Sequence, residues 1–344
     1  MIEITKGNII KNDSEAIVNT VNCVGFMGKG IALQYKQAFP DNFKAYEKAC
    51  RAEKVKPGLM FIFETNAMFN PKYIVNFPTK RHWRGNSRLE DVENGLRSLV
   101  EDIKRLEIKS IAIPPLGCGL GGLDWNVVKP MILDAFSSLP EVTVSVFEPK
   151  GAPDAKTMPV RTALPDMTPA RALFIKLIEQ YQLLSYRLTL LEIQKLAYFL
   201  QEAGEPLRLK YVAHIYGPYA DNLKHVLERI EGHFTRGYGD TQKPDVEIEL
   251  IPSAIEKADR FLKGKDKSIK RLEKVSQLID GFETPYGMEL LSSTHWVAKN
   301  GPTPATTSSD AVEAIHTWNR RKRNMLQTDH IIVAWNQLKE QGWI

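Results

Sequence analysis

Residues 16–32 read Ala16-Ile17-Val18-Asn19-Thr20-Val21-Asn22-Cys23-Val24-Gly25-Phe26-Met27-Gly28-Lys29-Gly30-Ile31-Ala32. Ala16 to Val21 has the composition of a strand, and Gly30 to Phe39 reads as a helix. The glycine-rich segment between them lies where a helix N-terminus offers free N–H groups and a positive dipole end. Its glycines let the backbone approach an anion closely. No Gly-Lys-Ser/Thr follows, and the Gly-x-Gly-x-x-Gly spacing is absent, so a plain ATPase or NAD dehydrogenase is disfavoured.

A second loop of the same kind, Pro114-Pro115-Leu116-Gly117-Cys118-Gly119-Leu120-Gly121-Gly122-Leu123-Asp124-Trp125, follows the strand-like run Ser110 to Pro114 and precedes a helix from Trp125 to Leu139. Either loop alone is matched by an ordinary tight turn, whereas two strand-to-helix glycine loops suit the two sides of a diphosphate. Further strand-length apolar runs stand at 59–63, 73–77 and 142–147, and an amphipathic helix is predicted from Arg88 to Leu106. This alternation predicts an α/β fold with a largely parallel or mixed sheet and helices on both faces.

Composition changes after Pro149. The stretch from Pro149 to Pro169 carries five prolines with little periodicity and reads as a linker, set at 150–166. Residues 167–344 are mainly helical. Helices are predicted at 169–184, 188–203, 219–230, 253–261, 267–279, 309–318 and 328–341, with one strand-like alternation at 246–250. The chain of 344 residues thus divides into a first domain over 1–149 and a second over 167–344.

The net charge of +5 permits contact with nucleic acid without arguing for it. Cys23, Cys50 and Cys118 are too few and too widely spaced for a disulfide framework or zinc site, which fits a cytoplasmic protein. No apolar run is long enough to span a bilayer, and the first residues lack the form of a signal peptide, so no membrane partner is expected. His214 and His225 have no ligand partners at metal spacing, and neither a metal nor a cofactor is expected.

Taken in order, Val18 to Asn22, Gly28 to Ala32 and Ile113 to Gly119 resemble a macrodomain, the ADP-ribose-binding module, over the whole first domain. Asn76-Phe77-Pro78-Thr79-Lys80 with Trp83 is similar to the branch that holds the terminal ADP-ribose glycohydrolases and the DarG antitoxins. The resemblance implies a three-layer α/β/α domain with a mixed sheet. It implies that Asn22 hydrogen-bonds the distal ribose, where a turn cap is the plain alternative. Gly28, Lys29, Gly30 and Ile31 correspond to the first phosphate loop, and Gly117, Cys118, Gly119, Leu120 and Gly121 to the second. Asn8 and Ile9 correspond to the adenine contact, with Asn8 where many macrodomains carry Asp. Thr79 joins the substrate residues. Phe147 packs on adenine or belongs to the core.

By the same resemblance Lys80 is the catalytic residue. A neutral Lys80 can attack the anomeric carbon of the distal ribose, which requires a depressed pKa, with Arg81, Arg84 and Lys29 as candidate causes. A charged Lys80 can instead donate a proton to the leaving group. The terminal ADP-ribose glycohydrolases carry Asp where this chain has Gly121, so a carboxylate partner is in question; Asp124 reads more simply as a helix N-cap. Cations around Trp83 suit single-stranded nucleic acid, with phosphates on arginine and a base on the indole.

In the second domain, Ile193 to Leu200 and Tyr211 to Tyr219 resemble Panacea (SocA-like) helical antitoxin domains. Arg320-Arg321-Lys322-Arg323 reads as a solvated helix end or a site for acidic partners. The whole implies an enzyme that removes ADP-ribose from thymine in single-stranded DNA, with its second domain binding and neutralising a DarT-like ADP-ribosyltransferase toxin. A non-catalytic ADP-ribose reader and a hydrolase of protein-linked or free ADP-ribose derivatives are the alternatives.

Overall fold

The computed structural model describes residues 1–149, 157–182, 188–239, 247–301 and 303–344. Their contacts form two units. The first runs from Met1 to Ala163 together with a short stretch at Gly239, and the second takes the remainder from Leu164 to Ile344.

In the first unit the elements follow as β1 (Ile2–Thr5), β2 (Ala16–Asn22), α1 (Gly30–Ala38), α2 (Pro40–Arg51), β3 (Phe61–Glu64), β4 (Tyr73–Lys80), α3 (Leu89–Arg105), β5 (Ser110–Ile113), α4 (Trp125–Ser137) and β6 (Thr143–Phe147). The sheet order is β1-β6-β5-β2-β4-β3, parallel except for the antiparallel edge strand β3. Strand alternation sends neighbouring residues to opposite faces. Ala16, Val18, Val75 and Phe77 enter one core with Val92 and Leu99 of α3 and Val128 of α4. Ile17, Ile74 and Ala112 enter another with Tyr35 and Ala38 of α1. This is the expected three-layer α/β/α domain with a mixed sheet.

Two positions set the spacing of these layers. Gly95 lets α3 close on β4, since a Cβ there would stand 2.3 Å from Phe77 Cζ. On the other face, a fully buried asparagine cluster joins β2, β4 and α2. Asn19 Nδ2 donates to Asn76 Oδ1 at 3.0 Å, and Asn76 Nδ2 donates to Asn42 Oδ1 at 2.7 Å.

Two features depart from the sequence reading. Helix α2 has no counterpart in it: the predicted helix stops at Phe39, and α2 begins directly after it at Pro40, with a single residue between the two helices. The first unit also continues past Pro149. Residues 150–156 of the expected linker lie outside the described residues, but Met158 packs against Ile9, Ile10 and Phe147. Arg161 N donates to Gln37 O at 2.8 Å. An apolar anchor and a backbone hydrogen bond thus attach Thr157–Ala163 to the first unit.

The second unit contains α5 (Pro169–Gln182), α6 (Leu190–Glu202), β7 (Val212–His214), β8 (Gly217–Tyr219), α7 (Leu223–Ile230), β9 (Thr235–Arg236), β10 (Glu249–Leu250), α8 (Pro252–Leu262), α9 (Asp266–Ile279), α10 (Pro285–Lys299), α11 (Ser308–Trp318), α12 (Arg320–Met325) and α13 (Thr328–Glu340). It is mainly helical, as predicted. The expected helix ends at 183–184 and the strand start at 246 lie outside the described residues.

Three readings are corrected in this unit. Tyr219 belongs to the β7–β8 hairpin, and the helix begins at Leu223. Helix α10 had no predicted counterpart, because it is buried on nearly every side from Gly287 to His295, its polar side chains Glu289, Ser292 and Ser293 included, and shows no solvated face. Arg320 to Arg323 is not a uniformly solvated end, since Lys322 is fully buried and donates to Glu289 Oε1 at 2.9 Å and Ser293 Oγ at 2.8 Å. Polar side chains of α6 hold the hairpin. Gln194 both donates to and accepts from the Ala220 backbone, and Lys195 Nζ donates to Pro218 O at 2.7 Å. No described helix is long and apolar enough to cross a membrane.

Candidate active site

Strands β2, β4, β5 and β6 are parallel, so Asn22, Lys80, Ile113 and Phe147 all lie at the carboxyl edge of the sheet, where ligands bind in open α/β folds. Both glycine loops leave from this edge. They come together at Gly30 and Leu120, where a Cβ on Gly30 would lie 3.4 Å from Leu120 Cδ1. Gly30 has φ +59° at the first position of α1, a conformation that favours glycine. Ile9, Ile31 and Phe147 share one apolar cluster, which brings the expected adenine residues beside the first loop and places Phe147 in the core.

Lys80 is placed by a break in the ladder. Val21 pairs with Pro78, and the next residue, Asn22, pairs with Lys80, so Thr79 is an extra residue in β4. Proline has no N–H for a central ladder and is tolerated at such a bulge, and bulges redirect the side chains that follow. Thr79 is buried within the bulge, and Lys80 ends the strand half-buried. Among the described residues Lys80 makes no hydrogen bond and no ion pair. Burial disfavours its ammonium and lowers its pKa below the ordinary lysine value. The neighbouring cations expected to cause this shift are otherwise engaged. Arg81 makes a two-point contact with the buried Asp91 carboxylate, at 3.0 and 3.2 Å, and Arg84 lies over the Trp83 ring at 4.5 Å.

The expected ribose ligand Asn22 is used within its own loop. Its Oδ1 accepts from Val24 N at 3.0 Å and Phe26 N at 3.3 Å, and its Nδ2 donates to Phe26 O at 2.6 Å. These are the bonds of a turn cap, and Tyr46 Oη donates to the same Oδ1 at 3.3 Å. Asn8 likewise caps the short turn Ile9–Lys11 through Ile10 N at 3.0 Å, and its Nδ2 donates to Met158 Sδ.

The second loop has no room for a carboxylate at 121. A Cβ on Gly121 would stand 2.2 Å from Ser87 Oγ and 2.3 Å from Gly117 O. Ser87 N donates to Gly121 O at 3.0 Å, so the β4–α3 segment lies directly against the loop. Asp124 caps α4 through Asn126 N at 2.9 Å, as the simpler reading had it. Cys118 sits in this loop with its thiol pushed up to about 11, first by burial and then by Asp124, which leaves it un-ionised at neutral pH. Ser87, Asp91 and Phe26 were not singled out from sequence. Phe26 alone carried a signal there, as a large apolar residue between glycines in a loop.

The Macro domain family model matches residues 18–132. The DNA ADP-ribosyl glycohydrolase of Thermus aquaticus is 44% identical over 342 residues, covering 99% of this chain and 94% of that protein. The solved macrodomain of Mycobacterium tuberculosis DarG is 49% identical, covering 44% of this chain and 99% of that chain with a TM-score of 0.43. A DNA ADP-ribosyl transferase–DNA ADP-ribosyl glycohydrolase fusion protein of Thermosipho africanus is 32% identical, covering 46% of this chain and 45% of that protein. With near-complete coverage at this identity, the chain belongs to the DNA ADP-ribosyl glycohydrolase family, the DarG-type macrodomain proteins.

Proposed function

We propose that the first unit removes ADP-ribose from thymine bases of single-stranded DNA, with the two glycine loops holding the diphosphate and Lys80 acting at the distal ribose. The observation that carries this is the state of Lys80: half-buried, without a partner among the described residues, lowered in pKa, and set at the sheet's carboxyl edge by the Pro78–Thr79 bulge. Such an amine is neutral at lower pH than an exposed lysine and is therefore a nucleophile. In the reaction Lys80 Nζ bonds to the anomeric carbon as the carbon–nitrogen bond to the base breaks. The proton shed by Nζ on bonding passes to the departing base nitrogen. Water then adds its hydroxyl to the anomeric carbon and its proton to Nζ, releasing ADP-ribose and restoring the amine. No carboxylate at 121 takes part, because the loop has no space for one.

Residues 167–344 are proposed to bind the ADP-ribosyltransferase whose modification is reversed. The transferase–glycohydrolase fusion in a relative supports this pairing of activities. The test is release of ADP-ribose from an ADP-ribosylated single-stranded oligonucleotide by the full chain. Wild-type turnover with loss in Lys80→Ala is expected. Equal turnover by Lys80→Ala would remove Lys80 from the mechanism, and binding of ADP-ribose without release would make the chain a reader. Co-purification of a transferase of the toxin type with the full chain, lost on deleting residues 167–344, tests the second unit.

A further inference from the structure

A single exposed apolar side chain is ordinary, whereas exposed apolar side chains that meet one another mark an interaction site. Phe26 is 52% exposed, yet its backbone is fixed from both sides by Asn22, which accepts from Phe26 N and donates to Phe26 O. Asn22 is in turn the register neighbour of Lys80. The loops that leave these two adjacent positions meet again farther out, where the Phe26 and Trp83 rings stand 6.3 Å apart and tilted by 56°. Lys80 and the Phe26–Trp83 pair therefore stand on segments that leave neighbouring positions of the sheet's carboxyl edge. The Trp83 ring is itself held in place. His82 lies 5.3 Å from it at 31°, Arg84 N donates to His82 Nδ1 at 3.3 Å, and the Arg84 guanidinium rests on the indole.

The bond to be cleaved joins the distal ribose to a base. With the diphosphate on the glycine loops and the anomeric carbon at Lys80, the base is the part of the substrate left to meet this aromatic pair. We propose that Phe26 and Trp83 together grip the modified base itself, as the leaving-group subsite. On this assignment the enzyme recognises an ADP-ribosylated nucleobase rather than ADP-ribose alone. The proposal rests on the DNA reading above and goes beyond it. It gives the exposed Phe26 a role, makes Asn22 the residue that positions Phe26, and distinguishes the linked base from its neighbours along the strand. A base stacked in a duplex has no free face to offer two rings, so the subsite also selects single strands. Arg84, already resting on the indole, is left to meet the adjoining phosphate.

The test uses the full chain with Phe26→Ala, Trp83→Ala and the ring-preserving Trp83→Phe. Two substrates are compared, an ADP-ribosylated single-stranded oligonucleotide and ADP-ribosyl-thymidine with no flanking nucleotides. Calorimetry measures binding of free ADP-ribose. Removing one stacking ring is worth about 1–3 kcal/mol per base, or roughly 5- to 150-fold. The expected result is a loss of kcat/KM in that range on both substrates for each alanine variant. Unchanged affinity for free ADP-ribose and substantial recovery in Trp83→Phe complete it. Loss on the oligonucleotide alone would assign the rings to flanking nucleotides and overturn the proposal. Parallel loss of free ADP-ribose affinity would show that the rings only shape the glycine loop, and would overturn it too. Inactivity of the unsubstituted chain on both substrates would instead defeat the DNA reading, and the subsite with it.

Discussion

Placing Asp at Gly121, the residue that the resemblance to terminal ADP-ribose glycohydrolases implies there, is predicted to damage the site. The new Cβ would stand 2.2 Å from Ser87 Oγ and 2.3 Å from Gly117 O, both well inside the closest contact a real Cβ makes. The serine hydroxyl can rotate away, but the Gly117 carbonyl belongs to the same loop and cannot yield without moving it. Overpacking of this kind costs about 1–3 kcal/mol, and a clash with backbone belongs at the upper end. For a unit of this size each kcal/mol lowers Tm by roughly 2–4 °C, so a fall of about 6–12 °C is expected. Displacing a loop proposed to hold the diphosphate by the same energy weakens free ADP-ribose by at least about tenfold. Gly121→Ala is expected to act like Gly121→Asp, since the Cβ and not the charge is responsible. Adding Ser87→Ala is expected to rescue little, because the carbonyl clash remains. Gly119→Ala is the control for stability, with no atom within 4 Å of its new Cβ. Calorimetry with ADP-ribose and thermal melts of the full chain decide the matter. Wild-type Tm and wild-type affinity in Gly121→Ala would refute the reasoning.

Lys80 has a lowered pKa, so its neutral amine accumulates at lower pH than in an ordinary lysine. A nucleophilic role predicts single-turnover rates that rise with pH and level off below 10.5, whereas rates that fall over that range would assign Lys80 as a proton donor. Gly95→Ala would put a Cβ 2.3 Å from Phe77 Cζ and is expected to cost about 3 kcal/mol in urea unfolding. Adding Phe77→Leu should cost less than the two changes summed, and strict additivity would mean α3 had simply moved away. Lys195 is lowered to about 7, first by burial and then by the charge of Lys322, against an unfolded value of 10.5. Between those values the unfolded chain holds the extra proton. The group's destabilisation is therefore full below pH 7, and stability rises by about 1.4 kcal/mol per pH unit from 7 toward 10.5. Urea unfolding at pH 6 to 9.5 should show that slope in wild type and its absence in Lys195→Met; the same slope in both would discharge Lys195.

How legible the molecule was depends on how local the cause is. Strand alternation and the helical stripe of Leu89–Arg105 are local, and both elements stand where the periodicity put them. Helix α10 was invisible because burial on nearly every side removes the solvated face that periodicity detects, although Thr284-Pro285 is a readable start. The cluster at 320–323 looked solvated because nothing near it in sequence announces Glu289, thirty-three residues before Lys322. The site divides in the same way. Two glycine loops and a Pro-Thr-Lys strand end can be read along the chain. What Asn22 binds cannot, because its partners depend on how the loop turns.

By itself the sequence determined the alternation that makes an α/β sheet with helices on both faces, the glycine loops at strand ends, and the lysine after Pro78. Each of these follows from the backbone preferences and side-chain spacing of residues close in the chain. Only the tertiary structure decided that Lys80 has no hydrogen bond or ion pair among the described residues and is lowered by burial rather than by its cationic neighbours. It alone showed that Gly121 has no room for a side chain and that Phe26 meets Trp83. Those facts rest on how a loop closes on itself and on distances between segments tens of residues apart, and packing sets them where local propensity cannot.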